Sequence, residues 1–277
     1  MPEEKLNFRK ASVAGSFYSR DKLILEREIS MFLEAAPVIT LPRKIKAIIV
    51  PHAGYLYSGG VAARAYSQIL NENYKRVIII APSHESEFEF SSIFNGAGYT
   101  TPFGQLPVDM SLARKLTGIS DFVRLSEIGH SSQEHAIEVQ LPFLQSCLGK
   151  FQIIPIAMGA QTEQQIEALT TVLDQSLSGD DTLLIASTDL SHNYSHERAK
   201  QMDQIAVDAI NAFDENMLWR EVQEGQIEMC GYGPAIVAMK TSRHLGARES
   251  RVLLYRDSGD ISGDHSNVVG YLSAIVF

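Results

Sequence analysis

Two cysteines in 277 residues, Cys147 and Cys230, are too few for a disulfide framework, so the fold has to be held by packing. The ordinary expectation for each is a small buried hydrophobe. Basic residues are also in short supply. A formal net charge of -9 and a pI near 5.4 argue against nucleic acid or an anionic membrane as the main partner. No apolar run is long enough to span a bilayer, and the opening MPEEKLNFRK lacks the apolar stretch of a signal peptide, so a cytoplasmic location is expected. Repeats, linkers and low-complexity tracts are missing too. Residues 1–277 therefore read as a single domain, and 45% hydrophobic composition suffices for a sizeable core. The glycines fit neither a Walker A nor a dinucleotide pattern, and no nucleotide site is expected.

What is present is organised around Lys46 to Gly60, KAIIVPHAGYLYSGG. Ile48, Ile49 and Val50 form a β-branched run of the kind buried on both faces of a parallel sheet, and His52 follows within two residues. The pattern recurs. Arg76 to Ala81 leads through Pro82 and Ser83 to His84, and Thr182 to Ala186 leads to Asp189 and His192. In open α/β sheets, ligand-binding groups gather beyond the carboxyl ends of the strands. If these three strands are parallel neighbours, their imidazoles and carboxylate face one crevice.

The remaining segments read as scaffold. Met1 to Lys10 is a polar lead-in, and Ser19 is a candidate N-cap for a helix carrying Leu25, Ile29, Phe32 and Leu33 on one face. Ser58 to Leu70 reads as a helix whose small residues permit close packing. Phe88 to Leu106 suggests a hairpin or excursion, Leu112 to Leu116 a short helix, and Asp121 to Ser132 a connection. Glu134 to Leu148 predicts a helix whose first turn holds Glu134, His135 and Glu138. Those charges either complement the helix dipole or contact the pocket. Phe151 to Met158 predicts a strand despite Pro155. Helices are expected near Glu163 to Gln175, Glu197 to Phe213, Glu215 to Gln223 (polar and exposed) and Ala235 to His244, the last preceded by a tight turn from Cys230 to Pro234. Arg251 to Tyr255 and Asn267 to Phe277 close the chain as two adjacent strands.

A lone histidine is more often a core residue than a ligand, but imidazoles placed after separate strands shift that balance. Neutral imidazole, carboxylate and thiolate are all first-row transition-metal ligands, so a bound metal is the simplest use for His52, His84 and one or more of Asp189, His192 and Cys230. Zinc accepts any three or four of these, and Fe(II) accepts two histidines with one anionic ligand. A metal-free hydrolase stays open as well, with Asp189 and His192 as orienter and base and Cys230 as nucleophile.

VAGSFY, PHAGYLYSGG, APSH, EHAIEVQLPFL, STDLSH and CGYGP occur in that order from about Val13 towards the last strand. Together they resemble the Memo family, including the Memo-like protein B of the bacterial and archaeal AmmeMemoRadiSam set. The resemblance implies an α/β fold, a single-domain αβα sandwich with a mostly parallel or mixed central sheet, similar to the class III extradiol dioxygenases, which are non-haem iron enzymes. It further implies that His52, His84 and Cys230 hold a metal, Fe(II) ahead of zinc or copper, while Asp189 and His192 act in the pocket on a ligand or a proton. The dioxygenases use a carboxylate where this chain has Cys230, and a softer, oxidisable thiolate departs from ring-cleaving chemistry. The expected function is a metal-dependent redox protein acting on a small organic substrate, with His192 steered by Asp189 as general acid or base. Tyr55 and Tyr57 would wall the pocket or simply pack. The rival is a non-catalytic adaptor that presents the same crevice to a peptide, with a radical-SAM protein as partner.

Overall fold

The computed structural model describes residues 7–179 and 181–277, so Met1 to Leu6 of the polar lead-in lie outside the described residues. The three apolar runs form the strands Ala47–Val50, Thr182–Ser187 and Arg76–Pro82, buried almost throughout. They are parallel neighbours, with Thr182–Ser187 in the middle. Ile48 lies opposite Ile185 on one side, and Ile78 lies opposite Leu184 on the other. Gln152–Met158 extends the parallel block beyond Arg76–Pro82. Val268–Val276 adds antiparallel to Ala47–Val50 and carries Ser250–Asp257 and the short His192–Tyr194. Ser91–Phe94 adds antiparallel at the other end and pairs in parallel with Val123–Ser126. The central sheet is therefore mixed. A smaller sheet joins Phe8–Arg9, Gly98–Thr101 and Gly104–Pro107.

Helices cover the sheet in two groups, giving the αβα sandwich. Tyr55–Tyr66 packs on Ala47–Val50 and Val268–Val276, together with Lys22–Glu34 and Gln140–Cys147. Tyr232–His244 packs on the three central strands and on Glu163–Ser176. Close approach within the first group depends on Gly59, where an added Cβ would lie 2.6 Å from the Phe32 ring. Among the described residues no helix is long and apolar enough to cross a membrane.

Several expected boundaries move, each for a local reason. Asp21, not Ser19, caps Lys22–Glu34, because its Oδ1 accepts from Leu23 N and Ile24 N at 2.9 and 3.0 Å. The helix after His52 starts at Tyr55, three residues early, and gives way to a 3-10 turn at Ser67–Ile69. The segment expected to run as a helix from Glu134 is irregular until Gln140, since the Glu134 carboxylate binds the His135 and Ala136 amides at 2.8 and 3.0 Å. The Asp121–Ser132 connection contains the strand Val123–Ser126. Glu215–Gln223 is not wholly exposed, for Leu218 is buried.

Pro155 sits in a central strand without breaking it. Ile153 turns its carbonyl away from Arg76–Pro82 to accept from Asp109 N at 3.0 Å, and residue 155 faces the same side. Ser91–Phe94 pairs there only from Ile156 onwards, so the missing N–H falls in a gap between partners.

Glu138 anchors the N-terminal segment. Its carboxylate accepts from the Arg9 guanidinium at 2.7 Å, from the amides of Ser12 and Val13 at 2.9 Å, from Ser12 Oγ at 2.6 Å and from Tyr18 Oη at 2.7 Å. Burial alone would raise its pKa, but these donors hold it below the usual carboxylate range. Arg9 and Glu138 are both buried, and stranding one is far costlier than losing a surface pair. Glu138→Ala is expected to cost about 3–5 kcal/mol in urea unfolding at pH 7. A loss below about 1 kcal/mol would show that the ion pair does not hold this segment.

Candidate metal centre

Because the three strands are parallel neighbours, their carboxyl ends share one edge of the sheet. His52, His84 and Asp189 emerge there. His135 comes from the irregular segment before Gln140–Cys147, and Cys230 from the turn before Tyr232–His244. One donor atom from each of His52, His84 and His135 lies within 4.8 Å of the other two. The rings of His84 and His135 stack at 5.1 Å, and His52 meets both edge to face. Cys230 Sγ lies 3.3 Å from His52 Nε2.

Hydrogen bonding fixes which nitrogen of His52 faces its neighbours. Ser187 Oγ gives its one proton to the Ala136 carbonyl at 2.7 Å, because a carbonyl can only accept. The same oxygen receives Gln140 Nε2 at 2.8 Å, and that amide is oriented by the Pro51 carbonyl at 2.9 Å and by Tyr66 Oη on its Oε1. The contact of 3.0 Å from His52 Nδ1 to Ser187 Oγ must then be a donation from the ring. His52 Nε2 is left unprotonated, with its lone pair towards Cys230 Sγ at 3.3 Å. Burial first, then the nearby His84 and His135, hold the His52 pKa well below its ordinary value, so the ring is neutral.

His84 is oriented by Glu134 in the same manner. Its Nδ1 lies 3.1 Å from Glu134 Oε1, and its backbone N donates to Oε2 at 2.6 Å. Burial pushes the His84 pKa down, but the Glu134 hydrogen bond and charge outweigh it and bring it above the usual value. Burial lowers His135, which the Phe17 ring meets edge-on at 4.7 Å. His52, neutral with its Nδ1–H committed to Ser187, has the form in which an imidazole binds a metal, and Glu134 orients His84 through its Nδ1.

Cys230 reaches the site because Gly231 lies hard against the end of the middle strand. An added Cβ there would be 2.4 Å from Ser187 O and 2.7 Å from Thr188 Cβ. Gln161 clamps the turn, donating to Cys230 O and accepting from Gly233 N, both at 2.7 Å. Cys230 Sγ accepts from Asp189 N at 3.1 Å. Burial, with the Asp189 charge second, pushes the thiol up to about 12. That is the reverse of an activated nucleophile, and the contact base is His52 rather than His192, so the metal-free hydrolase loses its support.

The other expected residues divide. The Asp189 carboxylate accepts from His52 N at 2.8 Å, and burial raises its pKa. Among the described residues it makes no hydrogen bond to the His192 ring, so the orientation of His192 by Asp189 expected from sequence is not formed. His192 N instead contacts Glu228 Oε2 at 3.5 Å while the residue pairs with Val269. Tyr55 is buried, donates to Val139 O at 2.7 Å and packs on Tyr18 and Phe143 as scaffold, and Tyr57 is exposed. Sequence reasoning missed Ser187, Gln140 and Gln161. The only available signal was that Ser187 and Gln140 fall inside the motifs STDLSH and EHAIEVQLPFL.

The arrangement defines an α/β protein with an imidazole-rich centre and a thiol at the carboxyl edge of a mixed sheet. The family described as Memo-like protein matches residues 9–275. A MEMO1 family protein of Methanothermobacter thermautotrophicus is 35% identical over 95% of this chain and 98% of its own length. Those of Methanobrevibacter smithii and Aquifex aeolicus are 38% and 34% identical, over 96% and 98% of this chain and 99% of each relative. The chain belongs to the Memo-like family. The crystal structure of an uncharacterized protein, JW3007, from Escherichia coli K12 shares the fold at a TM-score of 0.58 and 12% identity, over 84% of this chain and 100% of that one.

Glu134 is buried, and its pKa shows how firmly it is held. Burial would raise it, but the His84 ring and the amides of Ala136 and His84 bring it from 4.5 to about 2. A lowered carboxylate contributes stability that is fully present above pH 4.5 and is lost as pH falls through 2. Glu134→Gln is therefore expected to cost on the order of 3 kcal/mol at pH 7. Urea unfolding of both proteins from pH 7 down to 2.5 should show that gap closing, and a gap independent of pH would refute the assignment.

Proposed function

We propose that this protein is a metal-dependent oxidoreductase acting on a small organic substrate, with His52, His84 and Cys230 holding Fe(II). The observation that carries the reading is His52, whose Nδ1 is held by Ser187 and whose Nε2 lies 3.3 Å from Cys230 Sγ, in a ring that also shares a donor cluster with His84 and His135. Two nitrogens and one thiolate satisfy Fe(II) and leave positions for substrate. The iron would supply Lewis acidity and a change of oxidation state.

The chain's own residues do the rest. Asp189 binds the His52 amide and fixes the loop that carries the ring. Ser187 and Glu134 hold the Nδ1 protons of His52 and His84. His192, half-buried, takes or gives a proton on the substrate. His135 shares the cluster and lies against the substrate positions, with Phe17 behind it. A thiol at about 12 is protonated without the ion and would release its proton to solvent on coordinating it. Affinity should therefore gain about tenfold per pH unit from this group below that value.

Metal analysis of anaerobically purified protein tests the reading. Iron should be lost from His52→Ala and Cys230→Ser, while Ser187→Ala weakens binding by about 10–100-fold. His135→Ala should retain the ion. Zinc in place of iron would remove the redox assignment, and metal unaffected by either ligand substitution would remove the centre itself. No bound metal, with capture of a peptide or a radical-SAM protein unchanged in both variants, would make the crevice a docking surface.

A further inference from the structure

A second cluster lies apart from this centre. His196 opens the helix His196–Asn211, Asp257 ends the strand Ser250–Asp257, and His265 sits in the loop that follows. One donor atom from each lies within 4.8 Å of the others. His196 Nδ1 is 2.6 Å from Asp257 Oδ2, and the His196 and His265 ring centroids are 4.9 Å apart. We propose that His196, Asp257 and His265 form a second site for a divalent first-row transition metal, of which Zn(II) is the representative ion.

Each donor is already held in place. The Asp257 side chain is fully buried, and its Oδ1 is occupied by the amides of Gly259 and Asp260 at 2.9 and 3.3 Å. Its Oδ2 remains for the cluster. A hydrogen bond between His196 and Asp257 would explain those two residues but not His265. The His265 ring makes no hydrogen bond to the protein among the described residues, yet it is drawn over Gly259. A Cβ at position 259 would lie 2.7 Å from His265 Nδ1 and 3.0 Å from Asp257 Oδ1. The His196 amide donates to the His265 carbonyl at 2.9 Å, which fixes the two histidines side by side.

Two imidazoles and one carboxylate are a zinc-type donor set, and the exposed His265 leaves a fourth position for water. There is no thiol in this set. Ion binding here would fasten the 258–266 segment, with its short helix Gly259–Ser262, to the start of the helix His196–Asn211. It would also brace the neighbouring His192–Tyr194 strand through its pairing with Val268–Val276.

Zn(II) titration of the metal-free full chain against a chromophoric chelator decides the matter. The wild type should bind two equivalents, His265→Gln one, His52→Ala one, and the double variant none, with at least a tenfold loss of affinity at each removed site. His265 is exposed, so its substitution does not endanger the fold. Equal stoichiometry and affinity in wild type and His265→Gln would overturn the second site, whatever happens at the first. One equivalent that survives His52→Ala and disappears in His265→Gln would establish this site and count against the other.

Discussion

The centre depends on a single hydroxyl. Ser187 ends the middle strand of the parallel block and has one proton, which the Ala136 carbonyl takes. With Gln140 also donating to it, the oxygen can do nothing for His52 except accept. That sets the ring tautomer, and the tautomer sets which nitrogen meets Cys230. All three partners are buried, where an unmade hydrogen bond costs about 1–3 kcal/mol, so the arrangement resists rotation of any member. Strand register places Ser187 opposite Val50, which aligns the donor two residues beyond Val50 with its acceptor.

Carboxylates four residues apart in the chain do separate work. Glu138 turns towards the N-terminal segment and closes it onto the body with Arg9, Ser12 and Tyr18. Glu134 turns the other way, to the His84 ring and amide. A regular helix from Glu134 would put both on one face, since residues four apart are neighbours there. The irregular backbone up to Gln140 is what lets them diverge, and it carries His135 into the cluster between them. Phe17 and Tyr18, adjacent in sequence, meet the two sides of this junction: Phe17 lies on His135 and Tyr18 on Glu138.

Much of the frame was legible because burial on both faces writes itself as β-branched runs. Ile48 to Val50 and Val77 to Ile80 are such runs, Leu183 to Ile185 is an apolar one, and His52, His84 and Asp189 emerge beyond them at one sheet edge. Pro155 misled nothing, since the flanking apolar residues outweighed one missing donor. The positions that could not be read depend on partners distant in the chain. Ser187 matters because of Gln140, 47 residues earlier, and His196 pairs with Asp257, 61 residues later. Asp21 replaced Ser19 as cap by a shift of two residues, within the reach of local propensity but beyond its resolution. His192 and Asp189 looked like a couple because they are neighbours in sequence. Their strand ends instead point Asp189 back at the His52 amide and draw His192 into pairing with Val269.

The thiol gives the centre a different character from a carboxylate at the same place. A buried carboxylate held by good donors stays ionised, as Glu134 does, whereas Cys230, pushed up to about 12, keeps its proton until a metal displaces it. Burial likewise lowers the pKa of His52 and His135, whereas the ionised Glu134 raises that of His84. The thiol side of the centre can thus fold uncharged and acquire its negative charge only when an ion arrives. Asp189 N and Thr188 Oγ1 already stand at the sulfur, at 3.1 and 3.8 Å, to meet the negative charge that would then develop. Folding and charging are separated in this way, and the buried thiol is the residue that separates them.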